Sequence, residues 1–148
     1  FADALLMVMR AAGYTDKDVV GNCSVSSASV YNAPAYAACA FKKALEKGLP
    51  VKGDAARPIT RSEVAKLVSA LNLVGAPKNI DVLDPYVDLQ GVDATEKVAI
   101  AGVIESGVMI GQVKAIGSTF EPSGDLTRAS LAVILDKLFA KEEAAAPK

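Results

Sequence analysis

Pro58-Ile59-Thr60-Arg61-Ser62-Glu63-Val64-Ala65 is the stretch that decides how this chain is read. Thr60 is a favourable N-cap, and Glu63, three residues on, can reach back to the Thr60 backbone N–H to complete a capping box. Ile59 and Val64 hold the two positions of a hydrophobic staple across that cap. Val64, Leu67, Val68 and Leu71 follow at i, i+3, i+4 and i+7, which gives the helix one apolar face. The pattern then returns. Leu126-Thr127-Arg128-Ala129-Ser130-Leu131-Ala132 repeats the Thr-Arg pair and the apolar-Ala step, and Leu131, Ile134, Leu135 and Leu138 repeat the face. Phe1-Ala2, with Leu5 and Val8, fits the same helix without its cap. Three apolar stripes therefore start at Phe1, Val64 and Leu131. Self-similarity at a near-fixed period, here about 65 residues, signals a repeat architecture.

A second feature recurs between these helices. Residues 35–48 and 94–107 are helical patterns that end in a Gly-apolar step, Glu46-Lys47-Gly48-Leu49-Pro50-Val51-Lys52-Gly53 and Glu105-Ser106-Gly107-Val108-Met109-Ile110-Gly111. The unit is thus a helix, a glycine-punctuated loop, then Thr-Arg and a second helix. It occurs at 33–75 and 84–141, with 1–13 as the end of a truncated repeat, so that 1–141 form one repeat domain. Residues 142–148, Ala-rich and ending in Pro-Lys, read as the start of a linker or tail. In more detail, 14–32 read as a long polar loop and 34–47 as a helix opened by Asn32-Ala33-Pro34. The Thr60 helix is expected to run to near Gly75, and 81–88 to form an extended connector. Asp93 and Glu96 read as a second capping box. Strand-like pairing is expected around Phe120, and a last helix over 127–141.

Composition removes several function classes. Hydrophobic residues make up 51% of the chain but aromatics only 5%, which suits closely packed helices of Ala, Val and Leu. A net charge of −1 gives no general attraction to nucleic acid or to an anionic membrane. The longest apolar run, residues 98–104, is far too short to insert across a bilayer. The chain starts on Phe with no signal peptide and reads as a processed or trimmed piece. It contains no His, so Ser-His and Cys-His nucleophile pairs are excluded and a four-ligand zinc site is disfavoured. No Gly-rich phosphate loop precedes a Lys-Ser/Thr. Asp81, Asp84 and Asp88 lack the glycine and terminal Glu of a calcium loop, and read as caps and turns. The expectation is a protein that is not an enzyme and carries no metal or cofactor. Cys23 and Cys39 leave two readings. Either they form a disulfide of an exported protein, worth about 3 kcal/mol, or Cys39 is a small core residue of its Ala-rich helix.

Arg61 and Arg128 stand apart from this background. Each lies in the first turn of a helix, where the macrodipole favours anions over cations. One reading is an internal salt bridge. The other is an anion pocket, in which a planar guanidinium and free helix N–H groups hold a carboxylate.

The ordered set Tyr86-Val87-Asp88-Leu89, Gly107-Val108-Met109-Ile110-Gly111, Phe120-Glu121-Pro122 and Leu126-Thr127-Arg128-Ala129 resembles the S-layer homology (SLH) module of bacterial cell-surface proteins. Tyr36, Gly48-Leu49 and Pro58-Ile59-Thr60-Arg61-Ser62-Glu63 resemble it a second time, so that the likeness covers nearly the whole chain. The resemblance implies a mostly α fold, with tandem helix–loop–helix repeats packed as a pseudo-threefold unit around a central three-helix bundle. It also implies a non-catalytic module, extracellular in the cell wall or S-layer, that binds secondary cell-wall polysaccharide and tethers an exported protein to the surface. In many members the ligand carries a pyruvate ketal read by the Arg of Thr-Arg-Ala-Glu. Carried over, Thr60, Arg61, Glu63, Thr127 and Arg128 become binding residues, Tyr36 a sugar platform, and Gly48, Gly53, Gly107 and Gly111 the glycines at which loops approach the sugar. Ser130 replaces the second Glu, and 93–98 has no aromatic. The alternatives are a structural or protein-interaction module that contacts other S-layer subunits, and direct binding to peptidoglycan.

Overall fold

A computed structural model describes residues 1–20, 23 and 31–145; residues 21–22 and 24–30, with the serine cluster of the expected 14–32 loop, and 146–148 lie outside the described residues. The fold is mostly α. The helices are α1 (Ala2–Ala11), α2 (Asp16–Val19), α3 (Ala38–Glu46), α4 (Arg61–Ala70), α5 (Ala94–Glu105) and α6 (Arg128–Ala145). The chain divides into two compact units, Phe1–Ile59 and Thr60–Lys148. The sequence repeat had grouped α3 with α4 across 33–75, whereas packing groups α4 with α5 and the break falls inside the Ile59-Thr60-Arg61 motif.

In the first unit, α1 and α2 pack on α3. Leu5, Val8 and Met9 of α1, Val19 of α2 and Phe41 and Ala44 of α3 are completely buried. Phe41 also receives the rings of Phe1 and Tyr31, with centroids 5.9 and 5.5 Å away. α2 corrects the expected 14–32 loop: Thr15 caps it, and the Asp18 carboxylate accepts from the Thr15 N–H at 2.8 Å. Four residues were too few to show periodicity. Cys23 and Cys39 are bonded, with Cα atoms 5.2 Å apart, which decides between their two readings.

In the second unit, α4 packs against α5 through Val64, Leu67 and Val68 on one side and Ile100 and Val103 on the other, all fully buried. Phe120 and Leu131 extend this core. An antiparallel hairpin, Gln112–Lys114 with Gly117–Thr119, confirms the strand pairing expected near Phe120, in the register Val113 opposite Ser118. Residues 81–88 are not extended: a 3-10 turn spans Ile80–Leu83, capped by the Asn79 side chain on the Asp81 N–H. Helix α6 continues to Ala145, past the expected end at 141.

Four helices end in one way, and this defines the repeat. Gly13, Gly48, Asn72 and Gly107 have φ of 86°, 64°, 56° and 70°. Each donates to the carbonyl three residues back, and the next residue donates to the carbonyl five back, as in Leu49 to Ala44 and Val108 to Val103. This is the Schellman stop. Asn72 is the reason α4 ends at Ala70 and not near Gly75: Asn tolerates the left-handed region well enough to serve where glycine is usual. Gly13 to Asn72 and Gly48 to Gly107 are one and the same step of 59 residues (72 − 13 and 107 − 48). On that step Leu5, Val8 and Met9 fall on Val64, Leu67 and Val68, all six fully buried. Phe1 therefore corresponds to the N-cap Thr60, and the apolar stripe of α1 starts at Leu5, in place of the expected match of Phe1 with Val64.

Candidate binding groove at Arg61

The cap of α4 forms as its sequence requires. Thr60 Oγ1 accepts from the Glu63 N–H at 3.3 Å, and the Glu63 carboxylate accepts from the Thr60 N–H at 2.9 Å. Glu63 is buried there, so the pair is spent on the helix start. The next two N–H groups are also engaged: Arg61 donates to Gly124 O at 2.9 Å and Ser62 to Pro122 O at 3.0 Å. The start of α4 thus closes on the 121–124 turn, and the free helix N–H groups expected of an anion pocket are already taken.

The Arg61 side chain turns to the same loop. Its Nε donates to Phe120 O at 2.6 Å and its Nη2 to Ile110 O at 2.8 Å, while the guanidinium lies over the Phe120 ring, 4.8 Å from the centroid. Burial pushes its pKa below the ordinary arginine value, opposed by the negative fields of Glu121 and Asp88. Asp88 is itself fixed, accepting from the Phe120 and Glu121 N–H groups at 2.9 and 2.7 Å. The internal partner of Arg61 is therefore two carbonyls and a ring, and not the carboxylate of a salt bridge. Arg61 uses two of its five N–H donors in this way.

Beside Arg61 lies a groove of about 260 Å³. Val108 and Ile110 supply one wall, and Ser130, Ile134 and Lys137 of α6 the other. It places two cations, Arg61 and Lys137, on an apolar surface, the arrangement expected for an anionic group carried on a partly apolar ligand. Lys137 was not among the sequence candidates. Its signal was helical spacing, since Ser130, Ile134 and Lys137 share one face of α6 at steps of four and three.

Of the binding residues expected from sequence, only Arg61 lines this groove. Thr127 caps α6, accepting from the Ser130 N–H at 3.1 Å, and its hydroxyl meets the Ser130 hydroxyl at 3.0 Å, so one half of the cap survives without Glu. Arg128 opens α6 and is exposed. Tyr36 belongs to the first unit, where its hydroxyl donates to Asp3 at 2.8 Å. The four glycines have internal reasons. Gly48 and Gly107 are helix stops, and a Cβ on Gly53 would stand 2.8 Å from Arg57 Nε. A Cβ on Gly111 would stand 2.3 Å from Thr119 O and 2.4 Å from the Tyr86 ring.

Sequence reasoning also missed Arg57. It lies 4.8 Å over the Phe1 ring and donates to Lys52 O at 2.6 Å, so the first unit has its own arginine set on a Phe and holding a loop carbonyl. The Asp93 cap forms, accepting from the Glu96 N–H at 2.9 Å, but Glu96 does not return the bond. Its carboxylate accepts from Ser62 Oγ and pairs with Lys66 at 3.2 Å, which ties α5 to α4. Among the described residues no cluster of three metal-ligating side chains exists and no helix is long and apolar enough to cross a membrane. No family model, no curated protein and no solved structure matches this chain.

Proposed function

We propose that this chain is a non-catalytic SLH-type module that binds an anionic secondary cell-wall polysaccharide and anchors an exported protein to the bacterial surface. The observation that carries this reading is the groove beside Arg61, where the arginine of the Thr-Arg motif and Lys137 flank an apolar wall. The Cys23–Cys39 bond supports it, because disulfides persist in exported proteins and are rare in reducing compartments. The Thr-Arg helices α4 and α6, with α1 as the copy that has Phe1-Ala2 at those two positions, would close the pseudo-threefold bundle of that family.

The test is calorimetric titration of purified wall polysaccharide into the native protein, Arg61→Ala, Arg61→Lys and Lys137→Ala, each first shown to be folded. A charge-assisted contact contributes on the order of 1.5–3 kcal/mol, so Arg61→Ala should bind about ten- to a hundredfold more weakly. Lysine keeps the charge but loses the fork, and rescues in part. Unchanged affinity in both Arg61→Ala and Lys137→Ala overturns the reading.

A protein-interaction module is the second reading. It is favoured by the hairpin, where Val113 and Ile116 are 88% and 75% exposed. Pull-down with native walls and with walls stripped of polysaccharide separates the cases. Binding lost on stripping supports polysaccharide, binding kept supports peptidoglycan, and no binding to either supports protein partners.

A further inference from the structure

The second unit holds another depression, of about 300 Å³, between the 80–90 segment and the first turn of α5. Its floor is apolar, from the buried Leu83 and Leu89, and the exposed Ile80 adds to its lining. Two groups of opposite charge line it as well, the Asp84 carboxylate and the Lys97 ammonium, together with the Gln90 amide. Among the described residues the side chains of Asp84, Gln90 and Lys97 make no hydrogen bond and no ion pair. Asp84 and Lys97 thus share one depression and do not close on each other.

The backbone that carries these groups is held from several sides. The Tyr86 N–H donates to Leu83 O at 2.9 Å, and the Val87 N–H to Ser118 O at 3.0 Å. Just before the segment, the Lys78 and Asn79 N–H groups donate to the Glu105 carboxylate at 2.9 and 3.3 Å, which ties its start to the helix that bears Lys97. The Lys97 N–H in turn donates to Asp93 O at 2.9 Å, inside the first turn of α5. A surface ordered in advance gives up little entropy when a ligand binds.

The two unmatched charges select the ligand. A simple anion would gain Lys97 and meet Asp84, and a simple cation would do the reverse. A ligand with one charge of each sign and an apolar part satisfies the whole lining, and an aliphatic α-amino acid has these parts. Its ammonium suits the Asp84 carboxylate. Its carboxylate suits the Lys97 ammonium at the start of α5, where the helix dipole also favours an anion. Its side chain suits the floor of Leu83 and Leu89. The volume lies at the low end of the range for small-ligand sites, which fits one amino acid better than a peptide. We infer that this depression binds a free aliphatic α-amino acid. This function lies outside the wall-polymer reading and uses no residue of the Arg61 groove.

The experiment is an amide-resolved NMR titration of the whole chain with leucine. N-acetylleucine lacks the ammonium, leucinamide lacks the carboxylate, and leucyl-leucine keeps both charges but sets them further apart. Leucine should shift the Leu83, Tyr86, Leu89 and Lys97 amides saturably, and each of the other three should bind about tenfold more weakly, the size of one lost charge-assisted contact. Asp84 is exposed and Lys97 half-buried, so Asp84→Asn and Lys97→Gln should keep the native melting temperature. Asp84→Asn should erase the advantage of leucine over N-acetylleucine, and Lys97→Gln its advantage over leucinamide, a change of preference that a general loosening of the fold does not produce. Arg61→Ala should leave all of these shifts unchanged, which separates this site from the polysaccharide groove. Four results overturn the proposal: no saturable shift at those amides up to the solubility limit, N-acetylleucine or leucinamide binding as tightly as leucine, leucyl-leucine binding more tightly, or both preferences intact in the variants.

Discussion

Arg61 has a structural role that its sequence position does not reveal. Its place in the first turn of a helix is electrostatically unfavourable, which from sequence left two readings open, an internal salt bridge or an anion pocket. The structure supplies a nearer cause, since the guanidinium fastens the 110–120 segment through two carbonyls and a ring. Gly111 makes the same point. It was expected to let a loop approach a sugar, but its bare Cα is needed by Thr119 O and Tyr86. Gly111→Ala should destabilise the second unit by about 1–3 kcal/mol, the usual cost of overpacking, as read by thermal or urea unfolding. A native-like melting temperature would return Gly111 to the ligand side. Asp18 and Asp54 offer a pH readout. Hydrogen bonds from Thr15 lower the pKa of Asp18, and bonds from Asn32 and the Ala56 N–H lower that of Asp54, both from 3.8. A depressed carboxylate stabilises the fold above its unfolded pKa and loses that contribution as pH falls through the folded value. Asp18→Asn and Asp54→Asn should therefore reduce stability at neutral pH and flatten its fall below about pH 4. An acid-unfolding curve identical to that of the native protein would remove these two groups from the account.

At the scale of elements, helix starts and stops were legible and their partners were not. Thr60 with Glu63, Asp93, Gly48 and Gly107 all act as local rules require, because caps depend on residues within a few positions of one another. What failed was long-range or very short. Glu96 looked like half of a capping box, but Ser62 and Lys66, some thirty residues earlier, hold its carboxylate. The 3-10 turn at Ile80–Leu83 and the four residues of α2 fall below any period that sequence can display. The disulfide belongs to this scale too. It fastens residue 23, beside a stretch with four serines, to the first turn of α3. Closing a loop of that length should contribute about 3 kcal/mol through the unfolded chain. Reduction should lower the melting temperature of the first unit, and Cys23→Ala with Cys39→Ala should reproduce the shift. A reduced protein that melts at the oxidised temperature would show the bond to be dispensable for the fold.

For the whole molecule, the period read from sequence was close but its register was not. Matching Phe1 to Val64 used residue type alone, and apolar residues in a helix recur often enough to align in more than one way. The positive-φ stops have no such freedom, and they set the step at 59 residues between the two units. The third copy is separated from the second by more, since the Thr-Arg pairs at Thr60 and Thr127 bracket the added hairpin at 112–119. A pseudo-threefold SLH-type arrangement makes a strict demand on these copies. If α1, α4 and α6 surround one axis, residues at the same repeat position must be about equally far from one another in all three pairings. On the 59-residue step Arg10 corresponds to Ser69, and counting on from Thr127 gives Asp136; none of the three is buried. Spin labels placed pairwise at these positions should give three similar distances by pulsed dipolar spectroscopy. Helix axes in contact lie about 8–10 Å apart, and outward labels add to that on each side, so all three should fall within roughly 20–35 Å. Two similar distances and a third much longer would describe a linear array. The wall-anchoring proposal would then rest on the Arg61 groove without the support of a closed threefold frame.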